Sequence, residues 1–203
     1  MITALPILTP LMIVVLLLMA GRKVSWLRYI GLGGVILLFG VNMYIFQQVS
    51  NQGILVTQAG GWQAPFGITL VIDLLSAIML AITSFVALMV GLYALRGISE
   101  QRHRRHFFLF FHTLMMGVNG AFIAGDIFNM YVWFEVMVIS SFVLITLGSE
   151  KQQLEGAIKY VTMNLLGSFL FLAGIGLVYG KTGTLNLADL SLTVSQSDQP
   201  FVM

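Results

Sequence analysis

The chain has 203 residues, of which 58% are hydrophobic and only 9% are charged, and its formal net charge is +2 at pH 7. Soluble domains are about 25% charged, so this composition excludes a water-soluble globular enzyme and a disordered chain. The small net charge argues against a nucleic-acid-binding protein, which would need a basic face. The sequence has no cysteine, which excludes disulfides and thiolate metal sites. The composition is typical of a protein that crosses a membrane several times.

Long apolar runs predict six membrane-spanning helices, because about 20 apolar residues cross the hydrocarbon core of a bilayer. The predicted spans are residues 2–20, 29–49, 70–95, 107–124, 127–147 and 157–179. Segment 50–69 contains four glycines and a proline and is predicted to be a loop. Positive charges follow the first span instead of preceding it, which favours a retained helix over a cleaved signal peptide. We therefore predict an all-α, polytopic transmembrane bundle.

Lysine and arginine are concentrated on one side of the predicted bundle. The loops after the first, third and fifth spans, 21–28, 96–106 and 148–156, hold eight of them, and those after the second and fourth hold none. Because lysine and arginine resist translocation, we expect these three loops to be cytoplasmic and the N-terminus to lie outside. His103 and His106 belong to the basic 96–106 loop, and we expect both to be solvated.

Glu135 is an acidic residue inside an apolar run, nine residues after Asp126. At about 1.5 Å per residue, this spacing places it roughly 13 Å from the outer surface. That depth is close to the middle of a hydrocarbon core about 30 Å thick. Hydrocarbon disfavours a charged carboxylate unless something pairs with it, and no counter-charge shares its helical face. We predict that Glu135 transfers protons; the alternative is a structural hydrogen bond between helices.

Lys159 and His112 are further candidates for proton transfer. Lys159 lies about one turn inside the sixth span, with Glu155 four residues earlier in the favourable order for a helical ion pair. It is either a relay cation facing the bundle or a snorkelling side chain in a local pair. His112 lies in the fourth span, where an imidazole either passes protons near neutral pH or packs as a hydrogen-bonded core residue.

Three polar residues stand at predicted outer helix ends: Asp126 and Asn129 at the start of the fifth span, and Asp73 near the start of the third. Helix capping explains them, and ion access at an outer mouth is the alternative. The sequence has no phosphate-binding loop and no nucleophile paired with a base. We therefore expect no cofactor, no resident metal and no nucleic-acid partner, and we predict movement of ions or protons as the function.

The run 125–145, which includes Asp126, Asn129 and Glu135, resembles the fifth helix of the antiporter-like membrane subunits. That family includes subunits of Mrp-type multisubunit Na⁺/H⁺ antiporters and the proton-pumping subunits of respiratory complex I. Further stretches agree in order along the chain, at 60–76, 155–160 and 183–190. Within the family, the fifth helix is most similar to the D subunit of Mrp antiporters.

The resemblance implies a fourteen-helix fold with two inverted repeats. Residues 1–106 would form three leading helices, 107–179 the first helices of repeat one, and 180–203 an outer loop before a seventh helix. The chain stops as apolar residues begin again at Pro200, and we expect it to be part of a longer protein.

The resemblance also implies a proton path. In the family, a glutamate on helix five pairs with a lysine on a broken seventh helix, and Glu135 matches that glutamate. Lys159 matches a basic position near the start of helix six. The implied partners are other antiporter subunits, the lipid bilayer of a bacterial cell membrane, and Na⁺ and H⁺ as transported ions. Two alternatives stay open: a proton-pumping subunit of a complex I-like redox complex, and a scaffold subunit that transports nothing.

Overall fold

The computed structural model describes residues 2–20, 24–148 and 150–196. In chain order, these residues form α1 (Leu5–Met19), α2 (Val24–Gln52), β1 (Leu55–Gln58), β2 (Thr69–Ile72), α3 (Leu74–Gly97), α4 (Glu100–Arg104), α5 (Phe107–Phe122), α6 (Ile127–Thr146), α7 (Lys151–Thr182) and α8 (Leu187–Gln196). Short 3₁₀ turns precede α1 and follow β1.

Five helical segments in the described ranges are long and apolar enough to cross a membrane: Ile2–Met19, Trp26–Gln52, Leu74–Gly97, Ile127–Thr146 and Lys151–Thr182. The predicted bundle of apolar membrane helices is therefore confirmed. The difference is α5, whose 16 residues extend about 24 Å at 1.5 Å per residue. This length is less than the hydrocarbon core of about 30 Å.

Segment 50–69, predicted to be a loop, contains β1, and the start of the predicted third span forms most of β2. The two strands make an antiparallel hairpin. Strands β1 and β2 pair from Leu55 with Ile72 to Gln58 with Thr69. The third predicted span is therefore wrong over its first residues, because α3 begins at Leu74. The β-branched residues of β2 favour strand, and its backbone bonds a second neighbour, the turn after α5: Val71 N–H donates to Ile123 O at 2.9 Å.

Helices α1, α2, α3 and α5 share one hydrophobic core. Its buried members include Ile13, Leu17, Leu27, Val35, Leu38, Ala87, Ala94, Phe108, Phe111 and Met115. Pro10 has no N–H to donate to the carbonyl of Pro6, four residues earlier, and this leaves that carbonyl without its usual backbone partner. The amide of Asn119 on α5 donates to that oxygen instead, at 2.9 Å. A second cluster, formed by α2, β2 and α3, lies at the other end of the bundle. Because the sequence predicts that this end faces outward, we call it the outer end.

Two glycines of α5 allow close approach of α6. A Cβ at Gly120 would lie 2.2 Å from the ring of Trp133, and one at Gly117 would lie 2.8 Å from Met137 Cγ. Such distances leave room for hydrogen only. Only four residues separate Phe122 from Ile127, so α5 and α6 form a tight helical hairpin.

Helix α7 packs along α6 and has few buried residues, Ala157 and Ile175. It begins at Lys151, so the loop predicted at 148–156 is wrong over most of its length, because these residues form the first turns of α7. It ends where Gly183 takes the left-handed conformation, with φ of 69°. Helix α8 then occupies part of the segment predicted to be an outer loop. Residues 197–203, where the sequence becomes apolar again, lie outside the described residues.

The backbone ties the start of α6 to the end of α7. Ile127 N–H donates to Leu185 O, and Leu187 N–H donates to Gly125 O, both at 3.0 Å. The side-chain amide of Asn186 also donates to the Thr69 hydroxyl at 3.1 Å. We call this set of contacts among Thr69, the 123–127 turn and the 185–187 segment the outer junction. It links the beginning of α3, through β2, to both later helices.

At the opposite end, the predicted solvation of His103 is wrong. His103 is 1% exposed, its Nε2 lies 3.0 Å from Ala94 O, and its ring stacks on Phe108 at a centroid distance of 5.6 Å. A single turn of helix, α4, folds this ring inward although its neighbours are basic. Arg105 Nη1 donates to Leu147 O at 2.7 Å and so caps the end of α6. Residues 21–23 of the first predicted basic loop lie outside the described ranges.

Candidate functional site

Glu135 lies near the middle of α6, eight residues after its first residue. It is half-buried, and its Oε1 accepts a hydrogen bond from the hydroxyl of Ser168 on α7. Tyr131, one turn earlier on α6, interacts with the same carboxylate. Neither of the two ion pairs found in the described ranges involves Glu135. The carboxylate therefore contacts hydroxyl groups in a largely apolar setting.

Aromatic rings fix how α7 lies against α6 at this point. The ring of Phe171 lies 6.1 Å from Tyr131 and 6.4 Å from Phe134, centroid to centroid. Because Phe171 follows Ser168 by three residues, both side chains share one face of α7. A groove of 320 Å³ runs along the same contact and is lined by Tyr131, Phe134, Val138, Met163, Asn164, Gly167, Ser168 and Phe171.

Lys159 lies at a different level of α7. Its Nζ is 2.8 Å from Glu155 Oε1, and the two side chains are 74% and 65% exposed. The predicted local pair is thus present. Lys159 precedes Ser168 by nine residues, which is about 13 Å along the helix. The structure therefore does not bring Lys159 to Glu135.

His112 lies in the core shared by α1, α2 and α5. Its side chain is fully buried, and Nε2 lies 2.9 Å from Gly31 O on α2. In the described structure Nδ1 has no hydrogen-bond partner, and a Cβ at Gly34 would lie 2.8 Å from the ring. This geometry matches the alternative of a packed, hydrogen-bonded histidine, and none of its contacts leads to Glu135.

Asp126 and Asn129 contact each other at the start of α6. Asp126 Oδ1 accepts from Asn129 N–H at 2.7 Å, so Asp126 caps the helix as one of its two predicted roles requires. Burial raises the pKa of Asp126, and hydrogen bonds from Asn129 and other backbone groups act against this. Asp126 Oδ2 and Asn129 Nδ2 are buried without a partner in the described ranges.

Asp73 caps α3 and borders an outer cavity. Its Oδ1 accepts from Ser76 N–H at 2.7 Å, and hydrogen bonds from Ser76 lower the pKa of this carboxyl. The cavity has a volume of 880 Å³ between the hairpin, α3 and α8. The polar side chains that line it are Gln58, Thr69, Asp73, Ser76, Asn186 and Asp189.

Two polar residues of this arrangement escape sequence reasoning, Ser168 and Asn186. Serine in an apolar helix carries no charge signal, and only the register of α7 on α6 shows that Ser168 meets Glu135. Asn186 precedes α8, and its Oδ1 accepts from Ala188 N–H at 3.0 Å; it lies in the 183–190 stretch that carries the resemblance, but the sequence does not show its contact with Thr69. Across the described residues, no group of three or more His, Asp or Glu side chains is placed to hold a metal ion.

Two family profiles match the chain. One, described as "NADH:quinone oxidoreductase/Mrp antiporter, TM", covers residues 124–202. The other, described as "NADH-Ubiquinone oxidoreductase (complex I), chain 5 N-terminus", covers residues 57–108. The first includes the whole of α6 and α7, and therefore Glu135 and Ser168.

Known proteins with related sequences and structures agree with these matches. The D subunit of the Na⁺/H⁺ antiporter of Alkalihalophilus pseudofirmus is 41% identical over 98% of this chain and 40% of its own length. The membrane-bound sulfane sulfur reductase, an archaeal respiratory membrane complex, contains a chain with 30% identity and a TM-score of 0.84, covering 94% of this chain and 39% of that one. A chain of the Mrp complex from Dietzia sp. DQ12-45-1b gives 25% identity and a TM-score of 0.82, over 96% and 39% of the two chains.

The chain thus spans about 40% of the length of the relatives that it matches. The similarity extends over nearly all of the chain, in sequence and in fold, and includes the helix that carries Glu135. On these grounds, the chain belongs to the family of antiporter-like membrane subunits that Mrp-type antiporters share with respiratory complex I.

Proposed function

We propose that the complete subunit exchanges Na⁺ for H⁺ across a bacterial cell membrane, and that Glu135 carries the proton. The observation that supports this most directly is the setting of Glu135. It is an acidic side chain near mid-helix in an apolar span, in contact with hydroxyl groups and outside both ion pairs of the described ranges. An ionisable residue inside a membrane is costly and is usually retained for function.

In this proposal, proton release from Glu135 is coupled to the approach of a cation. In this scheme the carboxyl group of Glu135 carries the proton while no cation is close by, because hydrocarbon disfavours an unpaired charge. When Na⁺ or a lysine ammonium approaches, the charged carboxylate becomes favourable and the proton leaves. Proton and cation then compete for one carboxylate, and this competition is the basis of exchange.

We assign Lys159 to the same path as a relay cation. Its exposed pair with Glu155 is weak enough to open, since surface pairs contribute about 0–1 kcal/mol. The distance of about 13 Å along α7 means that Lys159 serves a step next to Glu135 and does not contact it directly. His112 has a packing role in this scheme. Asp73, Asp126 and Asn129 stand near the outer cavity, where we place cation access.

The relative from Alkalihalophilus pseudofirmus supports the view that other subunits are partners, because its name describes one subunit of an antiporter. The distribution of lysine and arginine supports an N-terminus outside and segments 21–28, 96–106 and 148–156 in the cytoplasm. A redox-driven proton pump is a second candidate, favoured by the likeness to a chain of an archaeal respiratory complex. The third is a scaffold without an ion path.

Substitution of Glu135 by glutamine separates these functions. In inverted membrane vesicles that contain the assembled complex, Glu135→Gln should abolish Na⁺-dependent proton flux while leaving assembly intact. Glu100→Gln is the matched control, because Glu100 lies in an exposed pair with Arg104 at 3.7 Å. Flux that survives in Glu135→Gln would contradict the proposal. Loss of assembly would favour the scaffold, and flux that depends on NADH but not on Na⁺ would favour the redox pump.

A further inference from the structure

Ser168 differs from the other serine and threonine hydroxyls of α5, α6 and α7 whose hydrogen bonds the structure describes. Ser140, Thr113 and Thr162 each donate to the carbonyl four residues earlier in their own helix. This back-bonding is the usual arrangement for serine and threonine in apolar helices. Ser168 instead donates to the side chain of Glu135 on a neighbouring helix. Its hydroxyl is therefore committed to the carboxylate and not to its own backbone.

The packing around Ser168 holds this orientation. Phe171, one turn later on α7, lies against the rings of Tyr131 and Phe134. Both residues precede Glu135 on α6, Tyr131 by four positions and Phe134 by one. The aromatic contact thus sets both the register and the rotation of α7 at the level of the carboxylate.

We propose that Ser168 is a positioning residue that directs the carboxyl group of Glu135 toward α7 in both protonation states. This inference rests on the proposed function of Glu135. A hydroxyl donates to a carboxylate oxygen and accepts from a protonated carboxyl, so one serine serves both states without movement of the helix. An ammonium group has donors only and stabilises the charged state alone.

The groove between α6 and α7 lies beside the hydrogen bond from Ser168 to Glu135. Ser168 and Asn164 are one turn apart on α7, and both line the groove. Its 320 Å³ exceeds the share of about 30 Å³ that one water molecule occupies in the liquid. Ser168 both bonds Glu135 and borders the groove, whereas Glu135 is not one of the residues that line it. A water molecule in this space would therefore reach the carboxyl group through the Ser168 hydroxyl.

Infrared difference spectroscopy on the complete, assembled complex tests the proposal. The carbonyl band of protonated Glu135 is first identified by its loss in Glu135→Gln. We expect Ser168→Ala to move this band to higher frequency, because a hydrogen bond to the carboxyl group is lost. The same variant should lower Na⁺-dependent proton flux about five- to tenfold, the effect of one hydrogen bond. Ser168→Thr should restore both the band and the flux.

Thr162→Val is the matched control, since it removes a hydroxyl of α7 that bonds only its own helix. It should leave the band unchanged. Ser168→Cys, which keeps the volume and a weak donor, should give a smaller band shift and guards against misfolding of the alanine variant. An unmoved band in both Ser168→Ala and Ser168→Cys would overturn the inference.

The two proposals fail differently. If Glu135→Gln abolishes flux but no Ser168 variant moves the band, the positioning role is wrong and the proposed function stands. If Glu135→Gln leaves flux intact, the proposed function is wrong whatever Ser168 does. If no carboxyl band disappears in Glu135→Gln, Glu135 is not protonated in the cycle and both are overturned.

Discussion

The amide of Asn119 donates to the carbonyl oxygen of Pro6 at 2.9 Å, replacing the backbone bond that Pro10 cannot make. Both partners are buried in the core shared by α1 and α5. We expect Asn119→Leu to destabilise the complete protein by about 1–3 kcal/mol, because a buried carbonyl then lacks its donor. The measurement is the thermal midpoint of the purified complex. Asn51→Ala is the control, because Asn51 is exposed at the end of α2; equal losses in both variants would contradict this role.

Close packing of α5 on α6 predicts that Gly120 does not accept a side chain. A Cβ there would lie 2.2 Å from the ring of Trp133, so Gly120→Ala should separate the helices and lower expression of folded protein. Gly40→Ala is the matched control, since nothing lies within 4 Å of the position that its added methyl group would take. Alanine in an open helical position stabilises by about 0.5–1 kcal/mol. Fluorescence-detected size exclusion compares the two, and equal behaviour would show that Gly120 is not required for packing.

Capping by Asp73 predicts a stability effect that depends on pH. Hydrogen bonds from Ser76 lower the pKa of this carboxyl from its ordinary value of 3.8. The folded state therefore favours the charged form, so the contribution is present above pH 3.8 and is lost as pH falls through the lowered pKa. Asp73→Ala should cost about 1 kcal/mol at neutral pH and less in acid. Hydrogen exchange at the first turn of α3 measures this, and a cost independent of pH would contradict the charge-based account.

The buried ring of His103 predicts a second pH effect. Here the folded state favours the neutral imidazole, whereas at Asp73 it favours the charged carboxylate. Burial lowers the pKa of His103 from 6.5, and the charge of Arg28 adds to the shift, against the hydrogen bond to Ala94 O. The unfolded state then binds the proton more tightly, so stability falls as pH drops below 6.5. Amides of α4 should exchange faster at about pH 5.5 than at about pH 7.5 after correction for intrinsic rates. His103→Gln, which keeps a donor for Ala94 O, should remove this dependence.

The exposed pair of Lys159 and Glu155 predicts a separation between stability and transport. Helical pairs of this kind contribute about 0.3–0.5 kcal/mol, so Lys159→Gln should leave the thermal midpoint nearly unchanged. If Lys159 is a relay cation, Na⁺-dependent proton flux should nevertheless fall markedly. Glu155→Gln serves as control because it breaks the same pair without removing the cation. Equal flux in both variants and in the unmodified complex would remove Lys159 from the path.

Hydrophobicity alone predicted the apolar helices, because a bilayer demands long runs of apolar residues whatever the tertiary fold. It did not predict β2, since four β-branched and apolar residues at the head of a span read equally as helix. Only pairing with β1 and with the 123–125 turn decides between them. The burial of His103 was missed for a similar reason, because basic neighbours mask an inward-facing position in a single helical turn.

For the candidate site, the unusual position of the acidic residue Glu135 in an apolar run was visible in the sequence. The spacing of Lys159 and Glu155, which suits a helical ion pair, was visible as well. Ser168 was not, because its role depends on the rotation of α7 about its own axis, which Phe171 sets through contacts with another helix. Residues distinguished by charge or spacing can be found from sequence, whereas those distinguished by the relative placement of two helices need the structure.

The outer junction has a mechanical consequence for α7. Backbone hydrogen bonds join residues 185–187, just after the outer end of α7, to the turn before α6. The side chains of Lys159 and Glu155, near the other end of α7, are exposed. This end of α7 near residues 185–187 is thus held by hydrogen bonds, and the helix extends about 48 Å at 1.5 Å for each of its 32 residues. If the helix tilted as a rigid body about the held end, Lys159 would move farther than Ser168, because it lies nine residues farther from that end.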